Sequence, residues 1–304
     1  VIFLSRTAVG SHAFKQAAEI PSCSQKLIMK KIILAFDGAH FSEGAFEFAR
    51  RLNEKAPILL TGVFVPLVNY SSLWSYASAS AMAGGPVVPL LEQDEIEQVQ
   101  KNIDRFKQMC IRHNIEFRVH QDYSDFALPE IRKETRYADL LILGSETFYT
   151  SVGIGEPSVY LKDMLQMTEC PVVIVPEKFE FPEMNILAFD GSESSVYAIK
   201  QFAYLMPELA VNETQVIFIG DEKKEIPDEA NIMELAARHF PELTLSKLEL
   251  PSTKAFADWI SEKKNALLVC GAYGRSSFSQ VLNKSFVSDV IRNHQLPVFI
   301  THRR

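Results

Sequence analysis

The sequence is poor in the residues that build the commoner kinds of site. It holds four cysteines, Cys23, Cys110, Cys170 and Cys270, with no Cys-x-x-Cys pair, so neither a disulfide framework nor a thiolate metal site is expected. Cys170 and Cys270 lie beside or within strand patterns, which predicts buried, reduced thiols and a cytoplasmic compartment. The seven histidines show no His-x-x-x-His or His-Glu-x-x-His spacing, so no metal is expected. No apolar run approaches the roughly 20 residues of a membrane-spanning helix, and a membrane partner is not expected. There is no excess of basic charge either: the net charge is −7, which argues against a nucleic-acid partner. Ser276, Ser277 and Ser279 have no accompanying His-Asp pair, and there is no nucleophile elbow. No catalytic residue is assigned, and the chain is read as not an enzyme.

What the sequence does have is internal repetition. Ile32-Ile33-Leu34-Ala35-Phe36-Asp37-Gly38 recurs as Asn185-Ile186-Leu187-Ala188-Phe189-Asp190-Gly191. Ala138-Asp139-Leu140-Leu141-Ile142-Leu143-Gly144 matches Asn265-Ala266-Leu267-Leu268-Val269-Cys270-Gly271, and Cys170-Pro171-Val172-Val173-Ile174-Val175 matches Leu296-Pro297-Val298-Phe299-Ile300-Thr301. Three strand ends in one order indicate a duplication of whole domains, since the period is far longer than that of a solenoid. The chain of 304 residues has room for two.

The expected division is an extension at 1–28, a first domain at 29–178 and a second at 183–304, joined by a short linker from Glu177 to Pro182. Val1 to Ile28 has no clear period and is read as disordered or as an artefact of start assignment. The alternative is a short helix from Ala13 to Glu19 docked on the surface. Met29-Lys30-Lys31 looks like a natural start of the fold.

In the first half, strands are expected near 31–36, 58–65, 115–121, 139–144 and 171–175, and helices near 42–54, 92–113, 125–137 and 157–168. In the second, strands are expected near 184–189, 214–220, 243–249, 266–271 and 297–301, and helices near 193–206, 228–239, 252–263 and 280–294. Continuous apolar strands between amphipathic helices imply parallel sheets covered on both faces, hence doubly wound α/β units. Pro66 to Leu91 is a long insertion with the Gly84-Gly85-Pro86 break. It is read as a lid, a partner surface or a plain mobile insertion.

The most informative stretch runs from Asn265 to Ser285. An apolar strand, Ala266 to Cys270, gives way to Gly271 and Gly274, a polar turn beginning at Arg275, and a helix from Gln280. Glycines let backbone N–H groups approach an anion, and a helix N-terminus favours negative charge. The other reading is an ordinary strand-to-helix turn. Asp37 and Asp190, at the ends of the first strand of each half, also have two readings: a ligand contact where the strand order reverses, or a helix N-cap or Asx-turn ahead of Ser42 and Ser192.

The spacing Gly271, two residues, Gly274, nine residues, Lys284-Ser285 resembles the phosphate loop of the universal stress proteins, with Lys284 where that family has a third glycine. The resemblance covers about residues 29 to 304. It implies strand order 3-2-1-4-5 in each half and a pseudo-dimer within one chain, its two fifth strands paired as they are across the family's dimer interface. The chain would then act as a monomeric pseudo-dimer or as a homodimer.

The resemblance also implies adenine-nucleotide binding, with ATP as the ligand: Gly271, Gly274 and Ser285 on the phosphates, and Asp190 at the adenosine end. Val63-Phe64-Val65 and Ile217-Phe218-Ile219 correspond to the family's main-chain contacts to adenine, though such residues are more often core. Arg275 and Lys284 add positive charge to the second loop; the Lys284 stem either blocks the pocket or its ammonium reaches the phosphates. The first loop has Thr147 and Pro157 in place of glycines and carries Glu146 and Glu156, so ATP is expected in the second half alone. The function implied is a cytoplasmic, non-catalytic stress-response or signalling protein. The alternative is a nucleotide-independent protein interaction module with vestigial sites, its protein partner unidentified.

Overall fold

The computed structural model describes residues 29–36, 40–65, 93–121, 127–145, 165, 167–220, 223–249, 253–263, 265–272, 290–291, 293 and 296–302. The extension at 1–28, the insertion at 66–91, Asp37, and residues 146–164 and 273–289, which hold most of the helices expected near 157–168 and 280–294, lie outside the described residues.

Ten strands form one sheet. The first five are β1 (Lys30–Phe36), β2 (Ile58–Phe64), β3 (Glu116–Gln121), β4 (Leu140–Gly144) and β5 (Val172–Val175). The second five are β6 (Met184–Ala188), β7 (Glu213–Ile219), β8 (Leu243–Leu248), β9 (Ala266–Ala272) and β10 (Val298–His302). Their order is β3-β2-β1-β4-β5-β10-β9-β6-β7-β8, so each set has the order 3-2-1-4-5 expected from the sequence. All pairings within a set are parallel. The seam is antiparallel, with Val298 opposite Ile174 and Ile300 opposite Val172. The strands nearest the seam are apolar on both faces because helices cover both sides; all of β4 and β5 is buried.

The helices are α1 (Glu43–Lys55), α2 (Gln93–Arg112), α3 (Ala127–Arg136), α4 (Glu193–Leu205), α5 (Pro207–Ala210), α6 (Glu229–Ala236) and α7 (Thr253–Ser261). α1 starts where Ser42 Oγ accepts the Ala45 N–H at 3.2 Å, and α4 where Ser192 Oγ accepts the Ser195 N–H at 3.2 Å. α2 buries Val99, Ile103, Phe106 and Cys110, one stripe at helical spacing. α5 is absent from the expected elements; it begins with Pro207 at its first turn, a position that tolerates a missing N–H.

Two cores flank the sheet, and both run through both halves. One, under α1, α2, α4 and α6, contains Phe36, Phe64 and Phe106 as well as Phe202, Phe240 and Phe299. Phe36 stacks on Phe64 with centroids 4.7 Å apart, and Phe106 meets both edge-on at 6.0 Å. The other core, under α3 and α7, joins Ile131 and Leu165 to Phe256, Ile260 and Val290.

The linker is itself packed. Phe179 and Phe181 lie against Phe48 of α1 at 5.9 and 5.5 Å, and Arg51 lies over Phe181 at 5.1 Å. Across the halves, Lys30 Nζ donates to the Leu205 carbonyl at 2.8 Å and pairs with Glu208.

Candidate functional site

The strand order reverses between β6 and β9, because β6 sends α4 towards β7 on one face while α7 enters β9 from the other. In such sheets ligands bind beyond the carboxyl ends of the strands at that point. β6 and β9 are parallel neighbours, with Leu187 opposite Val269. Asp190 follows the end of β6, and Gly271 lies next to the last residue of β9, so the structure brings these two predicted residues to the same edge. Gly274, Arg275, Lys284 and Ser285 lie outside the described residues.

Both placed residues have structural duties. Asp190 is exposed, and its Oδ1 accepts the Ser192 N–H at 2.9 Å, the Asx-turn geometry that leads the chain into α4. The turn also needs Gly191, whose φ of +83° lies in the left-handed region. Gly271 is required by packing: a Cβ there would lie 2.2 Å from the Ser194 carbonyl oxygen and 2.6 Å from the Ser195 nitrogen. The first turn of α4 therefore sits directly on the end of β9. One residue earlier, Cys270 is buried, its Sγ donating weakly to the Phe299 carbonyl at 3.7 Å. Burial pushes its thiol up to about 12, so it is inert near neutral pH. Of the segments matched to adenine contacts, Ile217 and Phe218 are buried core residues. Lys224 lies over the Phe218 ring at 5.1 Å, which brings a cation to the end of β7.

The first half is arranged differently. The Gly44 N–H, in the first turn of α1, donates to Glu177 Oε2 of the linker at 3.0 Å, so a carboxylate already sits at that helix N-terminus. At the end of β4, the buried Ser145 donates its N–H to the Val175 carbonyl at 2.8 Å.

Sequence reasoning missed a second feature of this half. The ends of β2 and β3, together with α3, line a cleft of about 420 Å³. Val63, Phe64 and Val119 supply its apolar wall, and His120, Gln121, Glu130 and Glu134 its polar groups. His120 Nδ1 lies 2.7 Å from Glu134 Oε1. Lys31 stands 3.9 Å from Glu134 Oε2, and Lys133 lies 3.2 Å from Glu130. The available signal was the spacing Glu130, Glu134 on one helix face, one turn apart. In the second half, α7 places Phe256 and Trp259 over the sheet, their rings 5.7 Å apart. Among the described residues no three His, Cys, Asp or Glu side chains converge as metal ligands, and no helix is long and apolar enough to cross a membrane.

No protein-family model and no curated protein matches the sequence. Solved structures do match. A universal stress protein from Archaeoglobus fulgidus superposes with a TM-score of 0.63 at 17% identity, over 90% of this chain and 96% of that one. A functionally unknown protein from Pseudomonas aeruginosa gives 0.50 at 12% identity, over 90% of this chain and 92% of that one. A candidate universal stress protein from another strain of Pseudomonas aeruginosa gives 0.50 at 11% identity, over 90% and 93%. Matches that span nearly the whole of both chains at such low identity establish architecture, and with the ten-strand order they lead to one conclusion: this chain has the universal stress protein fold, in an α/β form whose two five-strand sets meet at an antiparallel seam.

Proposed function

We propose that the protein is a non-catalytic, nucleotide-responsive stress or signalling protein that binds an adenine nucleotide, ATP, in its second half. The observation that carries this reading is the meeting of Asp190, Gly271 and the first turn of α4 at the point where the strand order reverses. The spacing from Gly271 to Ser285 supports phosphate binding by backbone N–H groups just beyond that point. Arg275 and Lys284 supply charge of the right sign, and Asp190 would hold the adenosine end.

The residues of the first half favour one site over two. Thr147 and Pro157 stand where its loop would need glycines, and the Glu177 carboxylate occupies the N-terminus of α1. With no assigned base or nucleophile, bound ATP would turn over far more slowly than the ~10 per second typical of enzymes.

Calorimetry tests the reading. ATP is expected to bind weakly, in a salt-sensitive manner, at one site. Gly274→Val should lower the affinity about tenfold or more, because a side chain would block the approach of phosphate. Thr147→Val should leave it unchanged. Two equivalent sites, or binding indifferent to Gly274→Val, would overturn the assignment. No binding at all would leave the nucleotide-independent interaction module as the better reading.

A further inference from the structure

The connection from β7 to α6 lies against the turn that follows β6. Its two ends are fixed. The Gly220 N–H donates to the Leu248 carbonyl at 3.2 Å, and the Asp228 carbonyl accepts the Asn231 and Ile232 N–H groups at 2.9 and 3.0 Å as α6 begins. Between these ends, Glu225, Ile226 and Pro227 make no backbone hydrogen bond to a described residue. Side chains hold the stretch instead. Ile226 is partly buried against the core under α4 and α6, and the Lys224 ammonium lies over the Phe218 ring. Segments with few backbone hydrogen bonds are those that open locally at least cost.

Pro227 seats on the residue after Asp190. A Cβ added to Gly191 would lie 2.4 Å from Pro227 Cγ and 2.8 Å from Pro227 Cβ. The proline ring is stiff, so this contact is released only when the backbone around it moves. The next residue, Asp228, has φ +47° and ψ +38° and makes no side-chain capping bond to α6. A left-handed conformation is uncommon outside glycine, and it persists where the surroundings impose it. Asp228 is exposed, so its own side chain is not packed into that conformation. The seating of Pro227 on one side and the start of α6 on the other impose it. A change of φ at Asp228 would lift Pro227 from Gly191 and leave α6 in place.

We propose that residues 224–228 form a strap that gates nucleotide exchange in the second half, with Asp228 as its hinge and Pro227 as its latch on Gly191. The gate rests on the reading above, in which the adenosine end of the nucleotide lies at Asp190. With the latch seated, the strap stands beside that end, and it must lift before the ligand enters or leaves. Such motions of a short segment set the rate of exchange in many binding sites without adding a contact to the ligand.

Phosphorus NMR of ATP titrated with the full chain gives Kd and the release rate together from the line shapes. Asp228→Pro forbids the left-handed φ, and Pro227→Gly removes the ring from Gly191. Neither residue is fully buried, so both variants leave the core alone. Each should speed ATP release and ATP capture about tenfold while changing Kd less than about threefold, because a gate scales both rates alike. Rates unchanged in both variants, with ATP still bound, would overturn the strap and leave the nucleotide reading standing. Faster release with Kd weakened in proportion would also overturn it, since that is how a ligand contact behaves. Absence of ATP binding to the unaltered chain would overturn the nucleotide reading and the strap with it. Gly274→Val supplies the contrast: it should weaken Kd without faster capture.

Discussion

In β1 the third residue is Ile32, an ordinary core aliphatic; at the same place in the repeated string β6 has Asn185, fully buried. Asn185 Nδ2 donates to the Leu209 carbonyl at 2.8 Å and to Thr214 Oγ1 at 3.0 Å, tying α5 and β7 to the sheet. Its Oδ1 has no hydrogen-bond partner among the described residues. The first half spends its polar groups elsewhere: Glu177 at the start of α1, and His120 with Glu134 on the cleft. The two halves share a strand lattice, but each fits its polar chemistry to its own connections. Satisfaction is incomplete in both halves: among the described residues Asn185 Oδ1 and the Oγ1 of the fully buried Thr61 in β2 have no hydrogen-bond partner.

Mutations can break this contrast at graded expense. The largest effect is expected at Gly271, where backbone abuts backbone and no side chain can move aside. Gly271→Val should lower the unfolding free energy by about 3 kcal/mol or more, measured by urea denaturation. A loss below ~1 kcal/mol would mean that α4 does not rest on β9 as described. Next is Asn185→Leu, which removes two hydrogen bonds, although the Leu209 carbonyl keeps the Asn212 N–H at 3.0 Å. A loss of about 2 kcal/mol is expected, whereas Ile32→Leu in the other half should lose under ~1.5 kcal/mol because it conserves volume.

Glu177→Gln sharpens the contrast between the two helix N-termini. Removing the charge from the Gly44 N–H should lower stability by about 1 kcal/mol. The smallest effect concerns pH. Hydrogen bonds from Arg50 hold the Glu47 carboxyl below its ordinary value, with burial opposing them. The pair therefore stabilises above the carboxyl's unfolded-state titration, and that contribution is lost as pH falls through the lowered folded value. Because the Glu47 side chain is 46% exposed, solvent screening limits the effect to at most about 0.5 kcal/mol. Glu47→Gln should flatten the acid limb of the stability profile by no more than that.

The strands were legible from sequence because they are short, apolar and bounded by turn residues, and because each half restates the other. Ile186-Leu187-Ala188 repeats Ile33-Leu34-Ala35, and both strings are central strands of their sets. The starts of the helices near Ser42 and Ser192 were legible from the turn chemistry before them, and the structure adds that these two serines are the caps. α5 was not, because Pro207–Ala210 is too short to show a period. The cleft was hidden for another reason: His120 and Glu134 sit on different elements, and only the packing of α3 against β3 brings them to 2.7 Å. Gly271 was legible as a required glycine, but the sequence could not reveal its contact with Ser194, since that depends on how closely α4 docks. Of the residues proposed to bind phosphate or adenosine, the structure describes Asp190 and Gly271; the rest of the loop is known from its spacing alone.

The seam between β5 and β10 has a consequence for synthesis. Val172-Val173-Ile174-Val175 is wholly buried in the finished sheet, and one side of it is closed by Phe299 and its neighbours. A ribosome makes β5 long before β10, so the first half emerges with an apolar, uncharged strand as its open edge. Such an edge is a template for pairing with another chain. Until the last strand is made, the nascent protein depends on its surroundings to keep that edge from the wrong partner; once β10 docks, the same strand becomes the middle of the molecule.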